Sequence, residues 1–148
     1  MIDKSIFLKL FNFYPPYLGA GIKVKRLPDD DWAYIVSMKL RFYNNNYVGV
    51  HFGGSLYSMC DPFYMLILMN KLGKDYIVWD RAASIEFKRP GKGRVNATFR
   101  ISKERVEQIK DEVEQRGKSE PEFLVKILND EGEVVSEVAK RLWVKKKV

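Results

Sequence analysis

Cysteine and histidine are almost missing from this chain: Cys60 and His51 are the only examples among 148 residues. One thiol excludes an internal disulfide and any cysteine-based metal cluster. One imidazole argues against zinc, whose sites typically take three or four N or S ligands. Neither a metal nor a cofactor is therefore expected. Long apolar runs are lacking too. A membrane span needs about 18 or more apolar residues in succession, and Asp61-Pro62 interrupts the best candidate. The start, Met1-Ile2-Asp3-Lys4-Ser5, does not follow the charged, apolar, small order of a signal peptide. A cytoplasmic protein with no membrane span is the expectation.

Acid is in deficit: 19 Asp and Glu against 26 Lys and Arg leave a formal charge of +7. Such a balance raises the question of nucleic acid. The cations are scattered, however, over Lys23 to Arg26, Lys88 to Arg94 and Lys140 to Lys147. No zinc-finger spacing, RNA-recognition signature or basic zipper accompanies them, so no nucleic-acid partner is expected.

What is present reads as one α+β domain over residues 1–148. Ile6, Phe7, Leu10, Phe11 and Tyr14 recur at helical spacing. They predict a short helix within an N-terminal segment of residues 1–16, ended by Pro15-Pro16. Gly19 to Leu27 alternates as a half-exposed strand, and Trp32 to Phe42 as a clearer one. A helix is predicted over 53–73, apolar all round in its second half and closed by Gly73. Strands follow over Tyr76 to Lys88 and Arg94 to Ile101. A surface helix spans Ser102 to Arg116, with Val106, Ile109 and Val113 facing inward. A hairpin over Glu122 to Lys145 turns at Asn129-Asp130-Glu131-Gly132. A buried helix needs a sheet curling about it, which is the plan of a hotdog fold: an antiparallel sheet wrapped around a long central helix.

The chemistry gathers at the start of that helix. Asp61 is the only charged residue between His51 and Lys71, and it stands eight positions after Gly53. An isolated carboxylate in apolar surroundings costs several kcal/mol unless partnered or solvated, and such groups mark functional sites. A Gly53-Gly54 pair opening a helix leaves backbone N–H groups free with no Cβ in the way. The competing reading is a structural acid bonded to Tyr, Ser or backbone. Cys60 points about 100° from Asp61 on the helical wheel and reads as a buried thiol. Trp79 and Met59, Met65 and Met69 read equally as core or as pocket wall.

The text Asn46-x-x-Gly49-x-x-Phe52-Gly53-Gly54-x-Leu56-x-x-x-x-Asp61, with Ala83 to Gly93 downstream, resembles a hotdog branch catalogued as a domain of unknown function. That branch stands beside the phenylacetate-pathway (PaaI-type) acyl-CoA thioesterases. The resemblance implies that the Gly53 N–H holds a thioester oxyanion and that Asp61 is nucleophile or general base. It makes Asn46 a substrate-positioning amide, and Gly54 and Tyr57 would lie against the substrate. It implies an acyl-CoA or other acyl-thioester ligand and hydrolysis of it; the alternative is an acyl or CoA binder without turnover. Gly53 and Asp61 are about 12 Å apart along an unbroken helix, and the family brings them together by dimerising. A dimer or dimer of dimers is thus expected, with Tyr57, Asp61 and the Tyr76-to-Lys88 strand at the seam.

Three departures stand out. The family's His before the glycine pair is Phe52 here, and His51 lies one place early, in a position better suited to a loop hydrogen bond than to a base. Asp80 occupies a strand position where relatives often carry Ser or Thr, and could share the site with Asp61. Pro62 removes a helical hydrogen bond beside Asp61 and frees a carbonyl. Finally, Lys88, Arg89, Lys92 and Arg94 are open to two readings: solvated turn charges, or a grip on the phosphates of coenzyme A.

Overall fold

The computed structural model describes residues 4–148; Met1 to Asp3 of the N-terminal segment lie outside the described residues. Among the described residues six strands form one antiparallel sheet: β1 (Ile22–Arg26), β2 (Tyr34–Lys39), β3 (Tyr76–Phe87), β4 (Arg94–Phe99), β5 (Glu122–Asn129) and β6 (Val134–Lys146). Their order across the sheet is β1-β2-β4-β5-β6-β3. Five helices accompany them among the described residues: α1 (Lys4–Phe13), α2 (Pro15–Ala20), α3 (Gly53–Ser58), α4 (Phe63–Leu72) and α5 (Lys103–Arg116). This is the hotdog fold, with the sheet curled about α3 and α4.

Alternation decides the inner face. On β2, Tyr34, Val36 and Met38 are buried; on β4, Val95, Ala97 and Phe99; on β6, Val138, Leu142 and Val144. Against them α4 lays Phe63, Tyr64, Ile67 and Leu68. The Phe63 ring meets Phe99 at 4.9 Å, and Tyr64 stacks on Phe123 at 4.7 Å. Each such side chain contributes about 1.5–3 kcal/mol by leaving water. On α5, Val106, Ile109 and Val113 form the inward stripe, and the helix starts as its sequence predicts, with Ser102 capping the Arg105 N–H.

Four boundaries differ from those expected. Pro15-Pro16 ends α1 but also opens α2, since a proline in the first turn lacks only an N–H that would have no helical partner. Gly19 and Ala20 therefore belong to α2, and β1 begins only at Ile22. β2 stops at Lys39, and the chain turns, leaving Phe42 90% exposed instead of on the inner face. The helix over 53–73 is two helices, α3 and α4, joined by a turn over 59–62. Gly73 caps the second as expected, its N–H bonded to Met69 O.

Candidate functional site

The break between α3 and α4 is a consequence of Pro62. With no N–H there, Ser58 O loses its helical donor, and the Tyr17 hydroxyl of α2 donates to it at 2.7 Å. Met59 and Cys60 point into the core, fully buried. Burial pushes the Cys60 thiol up to about 12, so it is not a thiolate at neutral pH. Asp61, at the crest of the turn, faces the other way, with its side chain 53% exposed.

One carboxylate oxygen of Asp61 is fully engaged. Oδ1 accepts from the Tyr57 hydroxyl at 2.9 Å and lies 3.4 Å from Lys140 Nζ. No bond to Oδ2 is made among the described residues. Lys140 projects from β6 at the inner-face parity of Val138 and Leu142, its side chain only 1% exposed. Its ammonium also meets Asp80 Oδ1 at 3.0 Å and the Tyr57 hydroxyl at 3.3 Å. Burial by itself would depress this ammonium; the bond and charge of Asp80, then Tyr57 and the charge of Asp61, outweigh it and leave Lys140 above its ordinary value. Tyr57 is held above the usual phenol range by burial and by its bond to Asp61, against the opposing pull of Lys140. Two carboxylates around one ammonium leave one net negative charge. Asp80 is the nearer acid, so the uncompensated charge falls on Asp61.

Asp80 reaches this cluster from the inner face of β3, two positions after buried Val78 and just before a β-bulge. The β3–β6 register pairs Asp80 with Leu142 and then Ala82 with Arg141, so that Arg81 has no partner of its own. Ala83 is the residue opposite Lys140 in this register.

Asp61 and Tyr57 border a cavity of about 580 Å³. Its far wall is apolar and comes from the N-terminal helices: Phe7, Leu10, Phe11 and Tyr14. The Gly53 and Gly54 N–H groups open α3 with no acceptor among the described residues. Both glycines lie close to exposed aromatic rings, which a side chain could displace. A Cβ at Gly53 would stand 3.0 Å from the Phe87 ring of β3, and one at Gly54 would stand 2.7 Å from the Phe52 ring.

Asn46 and His51 are spent on the loop before α3. Asn46 Oδ1 accepts from the Val48 and Val50 N–H groups, at 3.1 Å each. His51 is buried, with Nε2 donating to Gly93 O at 2.8 Å and its backbone N–H bonded to Gly91 O. Burial holds the imidazole below its usual range despite the Gly93 carbonyl, and Nδ1 has no partner among the described residues. His51 thus clamps the Pro90–Gly93 turn and makes no contact with the Asp61 cluster.

The basic set is divided. Lys88 pairs with Glu86 at 2.7 Å, and Arg89 with Glu133 and Val134 O. Lys92 is exposed. Arg94 faces away from that turn, into a groove shared with β1 and β2. Among the described residues no three His, Cys, Asp or Glu side chains stand close enough to hold a metal ion, and no helix is long and apolar enough to cross a membrane.

Sequence reasoning missed Lys140, Tyr17 and the cavity wall built by α1. Lys140 had a legible signal: it interrupts the alternating Val138, Leu142, Val144 series at a buried position. Tyr17 had none, because only the folded chain brings α2 to Ser58.

Solved structures share this architecture over nearly the whole chain. A protein of unknown function from Pseudomonas aeruginosa, described as a probable thioesterase, superposes with a TM-score of 0.83 at 20% identity, covering 99% of this chain and 97% of its own. A protein of unknown function from Chlorobaculum tepidum gives 0.74 at 18% identity, covering 97% and 94%. A thioesterase from Haemophilus influenzae gives 0.69 at 15% identity, covering 99% and 92%. Among curated proteins no sequence matches. The family model described as a domain of unknown function, DUF4442, matches residues 3–144, and this hotdog chain belongs to that family.

Proposed function

We propose that this protein hydrolyses an acyl thioester, with Asp61 as the general base or nucleophile. One observation carries the reading: a half-exposed carboxylate has one oxygen tied by Tyr57 and Lys140, the other free, and opens on an apolar cavity of about 580 Å³. That volume suits an acyl chain. As base, Asp61 Oδ2 takes a proton from water while the hydroxide adds to the thioester carbonyl. The C–S bond then breaks, and the thiol leaves with the proton. Backbone donors at Gly53 and Gly54 suit the oxyanion. Structural neighbours described as thioesterases support the same chemistry.

The reading includes a site shared between two subunits and coenzyme A as the carrier. β3 ends the sheet with one side unpaired over twelve residues. Ile77, Trp79 and Phe87 on it are exposed. Such an edge invites pairing with a second copy, which would set Gly53 of one protomer near Asp61 of its partner.

The test is turnover of an acyl-CoA panel by wild type and Asp61→Asn, with light scattering of both. Asp61→Asn keeps shape but loses the charge, and the rate should fall by about a hundredfold to ten-thousandfold. The scattering mass should be at least twice the 17.3 kDa chain. Unchanged turnover in the variant ends the catalytic reading. Tight binding with no turnover in wild type makes the protein an acyl-CoA binder.

A further inference from the structure

On the outer face of the sheet a second depression, of about 480 Å³, runs over β1, β2 and β4. Lys23, Lys25, Lys39, Arg41 and Arg94 line it, and no acid does. Several cations elsewhere, though not all, are matched with carboxylates: Lys71 with Asp30, Lys88 with Glu86, Arg100 with Asp29, Lys146 with Glu114. Among the described residues none of the five groove cations has an acidic partner.

The arrangement is built rather than scattered. Lys23 and Lys25 project from the same face of β1, alternating with buried Ile22 and Val24. Lys39 and Arg94 are direct cross-strand partners in the β2–β4 register, a placement in which like charges destabilise the pair. The loop carrying Arg41 is pinned by Asn44, which is buried. Its Nδ2 donates to Ala20 O and Lys39 O, at 2.9 Å each, and its Oδ1 accepts from the Arg41 N–H at 2.7 Å. The Tyr43 hydroxyl of the same loop packs over Gly21, where a Cβ would stand 3.3 Å away. Gly21 has φ +75°, so a side chain there would be disfavoured twice. The loop is thus held against the end of α2 and Gly21, just before β1, and it closes one end of the groove with a guanidinium and a phenol.

We propose that this groove binds a small ligand carrying two or more clustered phosphates. Five unmatched cations supply several charge-assisted donors at once. A pocket of this volume holds a diphosphate with an attached nucleoside but not the length of a duplex. The inference does not depend on the thioester reading: the phosphates can belong to coenzyme A or to a free nucleotide or polyphosphate, and the same cations would meet either.

Isothermal titration of the full chain with pyrophosphate, 3′,5′-adenosine bisphosphate and coenzyme A tests this. Three double variants run alongside: Lys39→Gln with Arg94→Gln, Lys23→Gln with Lys25→Gln, and Arg89→Gln with Lys92→Gln. The two groove variants should each weaken binding by tenfold or more, since a bond to a charged group is worth about one to two decades in affinity. The Arg89 and Lys92 variant should bind as wild type does. All the altered side chains are solvent-exposed, and thermal melts confirm folding. Coenzyme A binding tighter than pyrophosphate assigns the phosphates to the thioester carrier; equal affinity assigns a free polyphosphate. The proposal is overturned if no phosphate ligand binds, if the Arg89 and Lys92 variant loses as much as the groove variants, or if a 20-nucleotide single strand binds while pyrophosphate neither binds nor displaces it.

Discussion

Lys140 and Lys39 are lysines of one sheet, on opposite faces, and their surroundings could hardly differ more. Lys140 on the inner face is sealed from water and held by Asp61, Asp80 and Tyr57. Lys39 on the outer face is exposed, stands opposite another cation and has no acidic partner among the described residues. The buried charge persists because its neighbours replace the water it lost. The exposed one tolerates a like charge because solvent screens both. A net charge of +7 therefore says little by itself: the inner cation organises a carboxylate, and the outer ones await an anion.

The comparison breaks most severely at Lys140. Lys140→Met keeps the stem and deletes the charge, leaving Asp61 and Asp80 to repel each other. Loss of a buried partner costs about 3–5 kcal/mol. Because Asp80 is 30% and Asp61 53% exposed, water recovers part of that, and roughly 1–3 kcal/mol is expected by urea unfolding. The pH arm has a definite sign. The folded-state value of Lys140 is raised, so its stabilisation is complete below the unfolded value of 10.5 and is lost as pH rises through the folded one. Wild type should lose stability on that alkaline limb, and Lys140→Met should not show this loss. Identical limbs would mean that the cluster is not coupled to folding.

His51 sharpens the contrast with a buried group that prefers to be neutral. Its folded-state value lies below the ordinary 6.5, so the unfolded chain binds more protons just beneath that pH. Stability should be full above 6.5 and decline as pH falls from there toward the folded value. His51→Gln should cost about 1 kcal/mol through the bond to Gly93 and flatten this acid limb. Thermal melts between pH 7 and pH 5 read both effects, and an unchanged slope in the variant would place the transition on other groups.

The smallest change belongs to the outer face. Lys39→Gln removes one member of a like-charged cross-strand pair, and the melting point should hold or rise by the equivalent of a few tenths of a kcal/mol. A clear loss of stability at low salt would mean that Lys39 has a structural role of its own.

Period-two alternation in β2, β4 and β6, an inward stripe on α5 and an apolar α4 sufficed to read the hotdog plan, because burial imposes the period of each element on its residues. The same logic drew attention to Asp61, a charge where apolar residues dominate. Only the tertiary structure decided what Asp61 touches. Tyr57, four positions earlier on the same helical path, was within local reach, but Lys140 is 79 residues away along the chain and Asp80 comes from a different element, β3. The break at Pro62 was half legible: the sequence determined that Ser58 O would lose its donor, and the packing of α2 decided that Tyr17 would supply another. The basic residues divide in the same way. Composition determined their excess, while strand register decided which of them meet a carboxylate and which face one another, because ion pairs depend on distances of a few ångströms that only the folded chain sets.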